Sequence, residues 1–368
     1  MNTIAPNFQA APLRSTPIRV LIVDDSLVIS TLLASMLEGV PDIQVVGQAS
    51  NGQEAVRLAL RLRPDVITMD IRMPQMDGLE ATRQIMRVRP IPIVVVSSSV
   101  YAADYNIAFN AIEVGALSVI EKPKGLGVDD YDAVRDQLLS AIRSLAGARL
   151  LLRHDAATQS SDVGPLTALL HTYFIRSVQV IAIASSTGGP PVLMQILQSL
   201  PADFVIPIVI VQHILPAFVP GLVEWLNTRS TVRVTLATHG ARLQPGTAYL
   251  APGDTHVTLA LDRSVALDQS APIAGQRPSA TRLFQSVARV CGSGSIGIVL
   301  TGMGEDGVDG LAAMSRAGAH IIAQNEATSA IFGMPKAAID RKIVDETLSP
   351  SEIVQRLIKL HRFMQKPR

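Results

Sequence analysis

Two α/β domains in tandem, each a mostly parallel sheet flanked by helices, are what this 368-residue chain predicts. Three observations lead there. Short runs rich in Val and Ile alternate with segments whose apolar residues recur every three or four positions. That alternation fills residues 18–145, stops over a stretch of small polar residues, and restarts near residue 177. The length suits two cores better than one, and hydrophobic residues, 48% of the chain, can fill both.

In the first half the strand candidates are Val20–Val23, Ile43–Val46, Val66–Met69, Ile93–Val96 and Leu117–Ile120. Their β-branched, unalternating character is that of strands buried on both faces. Helical spacing is clearest over Leu27–Leu37, Ala55–Leu62 and Leu79–Val88, and Ala133–Leu145 closes a (βα)5 unit. Residues 1–17 read as a flexible leader without the apolar core of a signal peptide. Residues 146–176, with His154–Gly164 small, polar and aperiodic, read as a linker carrying a short helix at Leu166–Leu170.

The second domain is expected over residues 177–365 as a doubly wound, mostly parallel α/β fold. Val178–Ile183, Ile208–Val211 and Ile296–Leu300 are its buried-strand candidates, and Leu193–Leu200 and Leu311–Ala317 its helices. Thr247–Leu250, Val257–Leu261 and Val265–Leu267 lie close together, with Pro252-Gly253-Asp254 between the first two. They predict an antiparallel β-hairpin insertion.

Composition narrows the function. There are 32 Lys+Arg against 31 Asp+Glu, a net charge of +1, and 4% aromatic residues. Neither field nor stacking surface recommends a nucleic-acid partner. The single cysteine, Cys291, excludes an internal disulfide and suits a reducing compartment. No apolar run approaches the roughly 20 residues of a membrane helix. A cytoplasmic protein without membrane insertion is expected.

In open α/β sheets ligands bind beyond the carboxyl ends of the strands. The first half places Asp24 and Asp25 after Val23, Asp70 after Met69, Ser97 after Val96 and Lys122-Pro123 after Glu121. Clustered carboxylates repel unless a hard cation joins them, and Mg²⁺ prefers oxygen ligands. Metal and lysine together can neutralise a phosphoryl group, which makes Asp70 a nucleophile for an aspartyl phosphate. Alone, a strand-end Asp is often only a helix N-cap, a task open to Asp25 or Ser26 here. The ordered set is more specific. Residues 18–145 resemble a response-regulator receiver domain through Asp24-Asp25, Met69-Asp70-Ile71-Arg72-Met73-Pro74, Ser97 and Lys122-Pro123. The resemblance implies phosphorylation of Asp70 by a sensor histidine kinase, a metal ligand from the Arg72 carbonyl, and a switch role for Ser97. A position often aromatic in receivers is Val119, so aromatic rotation is not available.

The second half repeats the logic. Strand Val178–Ile183 runs into Ala184-Ser185-Ser186-Thr187-Gly188-Gly189-Pro190, Ile208–Val211 ends at Gln212-His213, and Ile296–Leu300 ends at Thr301-Gly302-Met303-Gly304-Glu305-Asp306-Gly307. A serine needs an adjacent base, and the base an orienting carboxylate. The glycines permit a tight turn with exposed N–H groups fit for an oxyanion hole. From spacing alone Asp254 and Asp309 rival Asp306, the Gly-rich turn could cradle a phosphate, and a lone histidine is more often structural. His213 stands out among seven histidines because it ends an apolar strand.

Residues 178–345 resemble the catalytic domain of chemotaxis protein-glutamate methylesterases. The matching motifs are Ser186-Thr187-Gly188-Gly189, Gln212-His213, Ala251-Pro252-Gly253-Asp254, Leu300–Gly304 with Asp306-Gly307, Ala323-Gln324-Asn325-Glu326-Ala327 and Phe332-Gly333-Met334-Pro335. The resemblance implies Ser186, His213 and Asp306 as nucleophile, base and orienting acid. It places Thr187, Gly188 and Met303 near the oxyanion, and requires no cofactor for the hydrolysis. It implies methyl-accepting chemotaxis receptors as substrates, demethylated and deamidated under control of the receiver. Two positions depart from the family pattern: Ser185 stands for the usual Gly, and Thr281 for the usual Asp after Arg277-Pro278-Ser279. Two rival readings are a phosphorylation-controlled scaffold with an idle hydrolase fold, and a DNA-binding response regulator, against which the neutral charge speaks.

Overall fold

The structure is a computed structural model that describes residues 16–97, 109–122, 128–146, 148 and 178–365. In the first domain β1 (Ile18–Val23), β2 (Ile43–Ala49), β3 (Val66–Met69), β4 (Ile93–Ser97) and β5 (Ser118–Glu121) form a parallel sheet in the order β2-β1-β3-β4-β5. The central strands β3 and β4 are buried at every residue, as helices on both faces require.

Helices α1 (Leu27–Leu37), α2 (Gly52–Leu62) and α3 (Gly78–Val88) begin at side-chain caps. Ser26, Asn51 and Asp77 accept from the N–H groups of Ile29, Glu54 and Glu80. Each such cap typically contributes about 1 kcal/mol. The capping thus falls to Ser26, which leaves the Asp24 and Asp25 carboxylates to the sheet edge. The last helix of this domain, α4 (Val128–Leu145), starts five residues before the predicted Ala133. The expected leader, most of the linker and Pro123 lie outside the described residues.

The second domain is a seven-stranded parallel sheet. Its strands are β6 (Val180–Ser185), β7 (Ile208–Gln212), β8 (Arg233–Leu236), β9 (Thr247–Leu250), β12 (Ser295–Val299), β13 (His320–Gln324) and β14 (Glu346–Leu348). Their order is β14-β13-β12-β6-β7-β9-β8. Alternate residues of β6 feed two cores. Ile181 and Ile183 pack with α5 (Gly189–Ser199), α6 (Val219–Arg229) and α10 (Pro350–Gln365). Val180, Ala182 and Ala184 pack with α7 (Ala280–Cys291), α8 (Val308–Arg316) and α9 (Met334–Asp340).

The hairpin differs in extent from expectation. Only β10 (His256–Leu259) and β11 (Val265–Asp268) pair antiparallel, with Val257 opposite Leu267. Thr247–Leu250 instead lies between β7 and β8, parallel to both, with all four residues buried. Its side chains fill both faces of the sheet, which close spacing to the hairpin could not reveal.

The chain passes from β6 to β7 on one side and reaches β12 on the other. The carboxyl end of β6 is therefore a switch point of the winding, where a crevice opens. The first sheet has its own switch at β1, between β2 and β3.

Candidate active site

At the first switch point, one carboxylate oxygen each from Asp24, Asp25 and Asp70 lies within 4.8 Å of the others. Lys122 Nζ is 2.8 Å from Asp24 Oδ2 and 2.8 Å from Asp70 Oδ2. The Lys122 N–H donates to the Ser97 carbonyl at 2.9 Å, so the β4–β5 pairing itself carries the lysine to the acidic edge. Burial raises the Asp70 carboxyl pKa, Lys122 opposes that, and Asp24 reinforces it; the net shift is upward. Burial alone would weaken the Lys122 ammonium, but its bonds to Asp24 and Asp70 outweigh that and raise its pKa. Three hard oxygen donors, one of them exposed Asp25, form a donor set fit for a divalent cation. Arg72 follows two residues after Asp70, and its side chain is exposed.

At the second switch point, Ser186, His213 and Asp306 follow β6, β7 and β12. The Ser186 N–H donates to Thr301 O at 3.0 Å and the His213 N–H to Ser185 O at 2.9 Å, which extends the ladder past the strand ends. His213 Nε2 lies 2.9 Å from Asp306 Oδ2, with both side chains nearly buried. The rivals are elsewhere: Asp254 pairs with Arg277 and Asp309 with Arg341, both largely in solvent. The Ser186 hydroxyl is bonded to neither His213 nor Asp306. Catalytic hydrogen bonds often tighten only with substrate in place.

Asp306 has more partners than the sequence suggested. Its Oδ1 accepts from the Ser279 hydroxyl at 2.7 Å and the Thr281 N–H at 3.2 Å, and its Oδ2 from the Ala280 N–H at 2.7 Å. The carboxylate thus sits at the N-terminus of α7, where free N–H groups and the helix dipole favour negative charge. Burial pushes its pKa up, but His213, Ser279 and the Ala280 N–H more than offset this, and the net shift is downward. Thr281, at the position of departure, accepts the Gly307 N–H at 2.8 Å and fastens the acid's own loop. Ser279 was visible only as part of a motif.

Ser185, the other departure, also has a partner. It donates to Gln212 Oε1 at 2.7 Å, and Gln212 Nε2 then donates to the carbonyls of Ser186 and His213, each at 2.9 Å. One amide ties the serine loop to the histidine loop. Gly188 has φ +75°, and a Cβ there would meet Ala330 Cβ at 2.6 Å. At Gly302 a Cβ would meet Ser186 Cβ at 2.7 Å, so glycine lets this loop approach the serine.

The first domain abuts this crevice. The Gly188 N–H donates to Leu117 O at 3.2 Å. Phe109 stacks on Trp225 with centroids 5.7 Å apart. Arg229 reaches Asn110 and Glu113, and Ser144 touches Met303.

A family model described as CheB methylesterase matches residues 181–357, and one described as response regulator receiver domain matches residues 20–144. A protein-glutamate methylesterase/protein-glutamine glutaminase 1 from Syntrophus aciditrophicus is 40% identical over 352 residues, 93% of this chain and 98% of the relative. The chain belongs to this methylesterase family. A methylesterase/glutaminase 4 from Myxococcus xanthus is 39% identical over 350 residues, 95% of this chain and 99% of the relative. The chain is also similar to the crystal structure of the Thermotoga maritima CheB methylesterase catalytic domain, at 37% identity and TM-score 0.49, over 50% of this chain and 99% of that one. A receiver-bearing methylesterase is thus an ester hydrolase by family, and the scaffold and DNA-binding readings lose their ground. Among the described residues, no helix of this methylesterase is long and apolar enough to cross a membrane.

Proposed function

We propose that the chain hydrolyses glutamyl methyl esters, and deamidates glutamines, on the cytoplasmic helices of methyl-accepting chemotaxis receptors, with Ser186, His213 and Asp306 as its catalytic residues. The observation that carries this is the buried His213–Asp306 hydrogen bond at the switch point beside Ser186. With Nε2 tied to Asp306, Nδ1 is the nitrogen that takes the Ser186 proton. Ser186 Oγ attacks the ester carbonyl carbon and forms a tetrahedral oxyanion. Backbone N–H groups of the Thr187-Gly188 turn and the Met303 loop are the donors for it. Collapse expels methanol, protonated by His213. Water, deprotonated by His213, then releases the glutamate and frees Ser186. On glutamine the leaving group is ammonia.

In the receiver, proposed over residues 18–145 and followed by a linker to a catalytic domain over 177–365, Asp70 accepts the phosphoryl group from a sensor histidine kinase. Asp24, Asp25, Asp70 and the Arg72 carbonyl would hold Mg²⁺, which supplies charge neutralisation during the transfer. Lys122 stabilises the phosphoryl oxygens and Ser97 responds to them. Control is exerted through the crevice. The Leu117 carbonyl holds the Gly188 N–H, one of the proposed oxyanion donors, so the unphosphorylated receiver keeps the serine loop engaged. Phosphorylation shifts the population to a state in which that donor is free. These reactions are placed in the cytoplasm.

Ser186→Ala tests the chemistry. Methanol release from a methylated receptor fragment is expected to fall by at least about 10³-fold. An unchanged rate rules out this assignment.

A further inference from the structure

His256 is fully buried at the start of β10. Its Nδ1 accepts the Ser279 N–H at 3.1 Å, so Nδ1 carries no proton. The ring proton is therefore on Nε2, which faces the Ala271 carbonyl at 3.3 Å. A neutral imidazole in one tautomer bridges the hairpin region to the residue before α7. That residue, Ser279, is itself fully buried and directs its hydroxyl at Asp306 Oδ1. Two further ties fix the same junction. The Leu259 N–H donates to Ser286 Oγ within α7 at 3.0 Å, and Arg277 binds Asp254 on the other side of the bend.

We propose that His256 is a positioning residue for the hydrolysis: its unprotonated Nδ1 holds Ser279 so that the Ser279 hydroxyl stays on Asp306, and Asp306 thereby aims the His213 ring. The assignment rests on reading Ser186, His213 and Asp306 as the catalytic set. Without the Nδ1 acceptor the Ser279 N–H is left buried and unpaired, and the segment must move to find a partner. Any movement there is delivered to Asp306 through a bond of 2.7 Å. Catalytic geometry tolerates little such displacement. The hairpin, which contributes no strand to the main sheet, acquires through this bridge a function in catalysis.

Two substitutions separate the acceptor from bulk and polarity. In His256→Asn the side-chain oxygen can sit where Nδ1 sits and accept the Ser279 N–H. In His256→Gln the amide reaches the Nε2 position and serves Ala271 only. The full-length protein is assayed for methanol release from a methylated receptor cytoplasmic fragment, with Ser186→Ala as the blank and Ser279→Ala as the parallel variant. For His256→Gln a kcat loss of about tenfold with KM unchanged is expected, and His256→Asn should stay within about threefold of wild type. Combining His256→Gln with Ser279→Ala should cost no more than the worse single variant, because both act through one bond. A His256→Gln enzyme with wild-type kcat, an Asn variant as slow as the Gln variant, or additive losses in the double variant would each overturn the proposal. Wild-type release by Ser186→Ala would instead remove the catalytic reading on which it rests.

Discussion

Asp306 accepts from His213, Ser279, Ala280 and Thr281, and this coordination explains how a carboxylate stays charged where it is buried. Replacing it by Asn keeps the shape but puts an amide donor among donors and leaves His213 without its orienting charge. We expect Asp306→Asn to lower kcat by about 10³–10⁴-fold. The same residue gives a pH signature. Its folded-state pKa lies below the ordinary 3.8, so the stability it contributes is fully present above that value. It is lost as pH falls through the folded pKa. The gap in thermal midpoint between wild type and Asp306→Asn should therefore be constant near neutrality and close only below about pH 4; a gap that closes between pH 8 and 6 contradicts this. The proposed Ser186 and His213 were legible in the sequence because each comes just after an apolar run, whereas Asp306, well beyond Leu300, was legible only through the family motif that contains it. Ser279, Thr281 and His256 were not, because they reach Asp306 and one another across 23 to 27 positions with no local pattern to mark the contact.

Strand ends and helix starts determine where these groups lie. The receiver edge was readable because Asp24 follows β1, Asp70 follows β3, Ser97 ends β4 and Lys122 follows β5, and the parallel register gathers them. The three carboxylates there predict that Mg²⁺ raises the thermal midpoint of the full-length protein. Tenfold excess over the dissociation constant corresponds to about 1.4 kcal/mol. Asp24→Asn, which removes one oxygen donor, should abolish the shift, and an undiminished shift would place the ion elsewhere. The contact between the domains was not readable, because Phe109 and Trp225 are ordinary core residues by sequence and become partners only through tertiary packing. Arg229 sits at the edge of that contact, over the Trp225 ring and 3.1 Å from Glu113. Both charged side chains are about half exposed, so their pairing contributes about 0.2–1 kcal/mol. Arg229→Glu should raise the unphosphorylated esterase rate by about two- to fivefold, and adding Glu113→Arg should reverse the gain. No change in either variant would remove this pair from the control.

Two independently wound sheets, each with its proposed site at a switch point, meet where the Leu117 carbonyl takes the Gly188 N–H. One apolar cluster runs unbroken from Leu21, Ile67 and Ile112 of the receiver to Trp225, Ile183 and Leu357 of the catalytic domain. The proposed control would use that continuity: a change at Asp70 need only alter the packing of residues 109–117 to loosen the serine loop. The proposed function joins, in one chain, a Ser186-dependent esterase to an Asp70-dependent release of it. The measurement that tests it most directly is methanol release from a methylated receptor cytoplasmic fragment, with and without a small phosphodonor and Mg²⁺, for wild type, Ser186→Ala and Asp70→Asn. Expected are release that phosphodonor increases in wild type, release that phosphodonor leaves unchanged in Asp70→Asn, and none above background in Ser186→Ala. Release that rises with phosphodonor in Asp70→Asn, or that persists in Ser186→Ala, would contradict it.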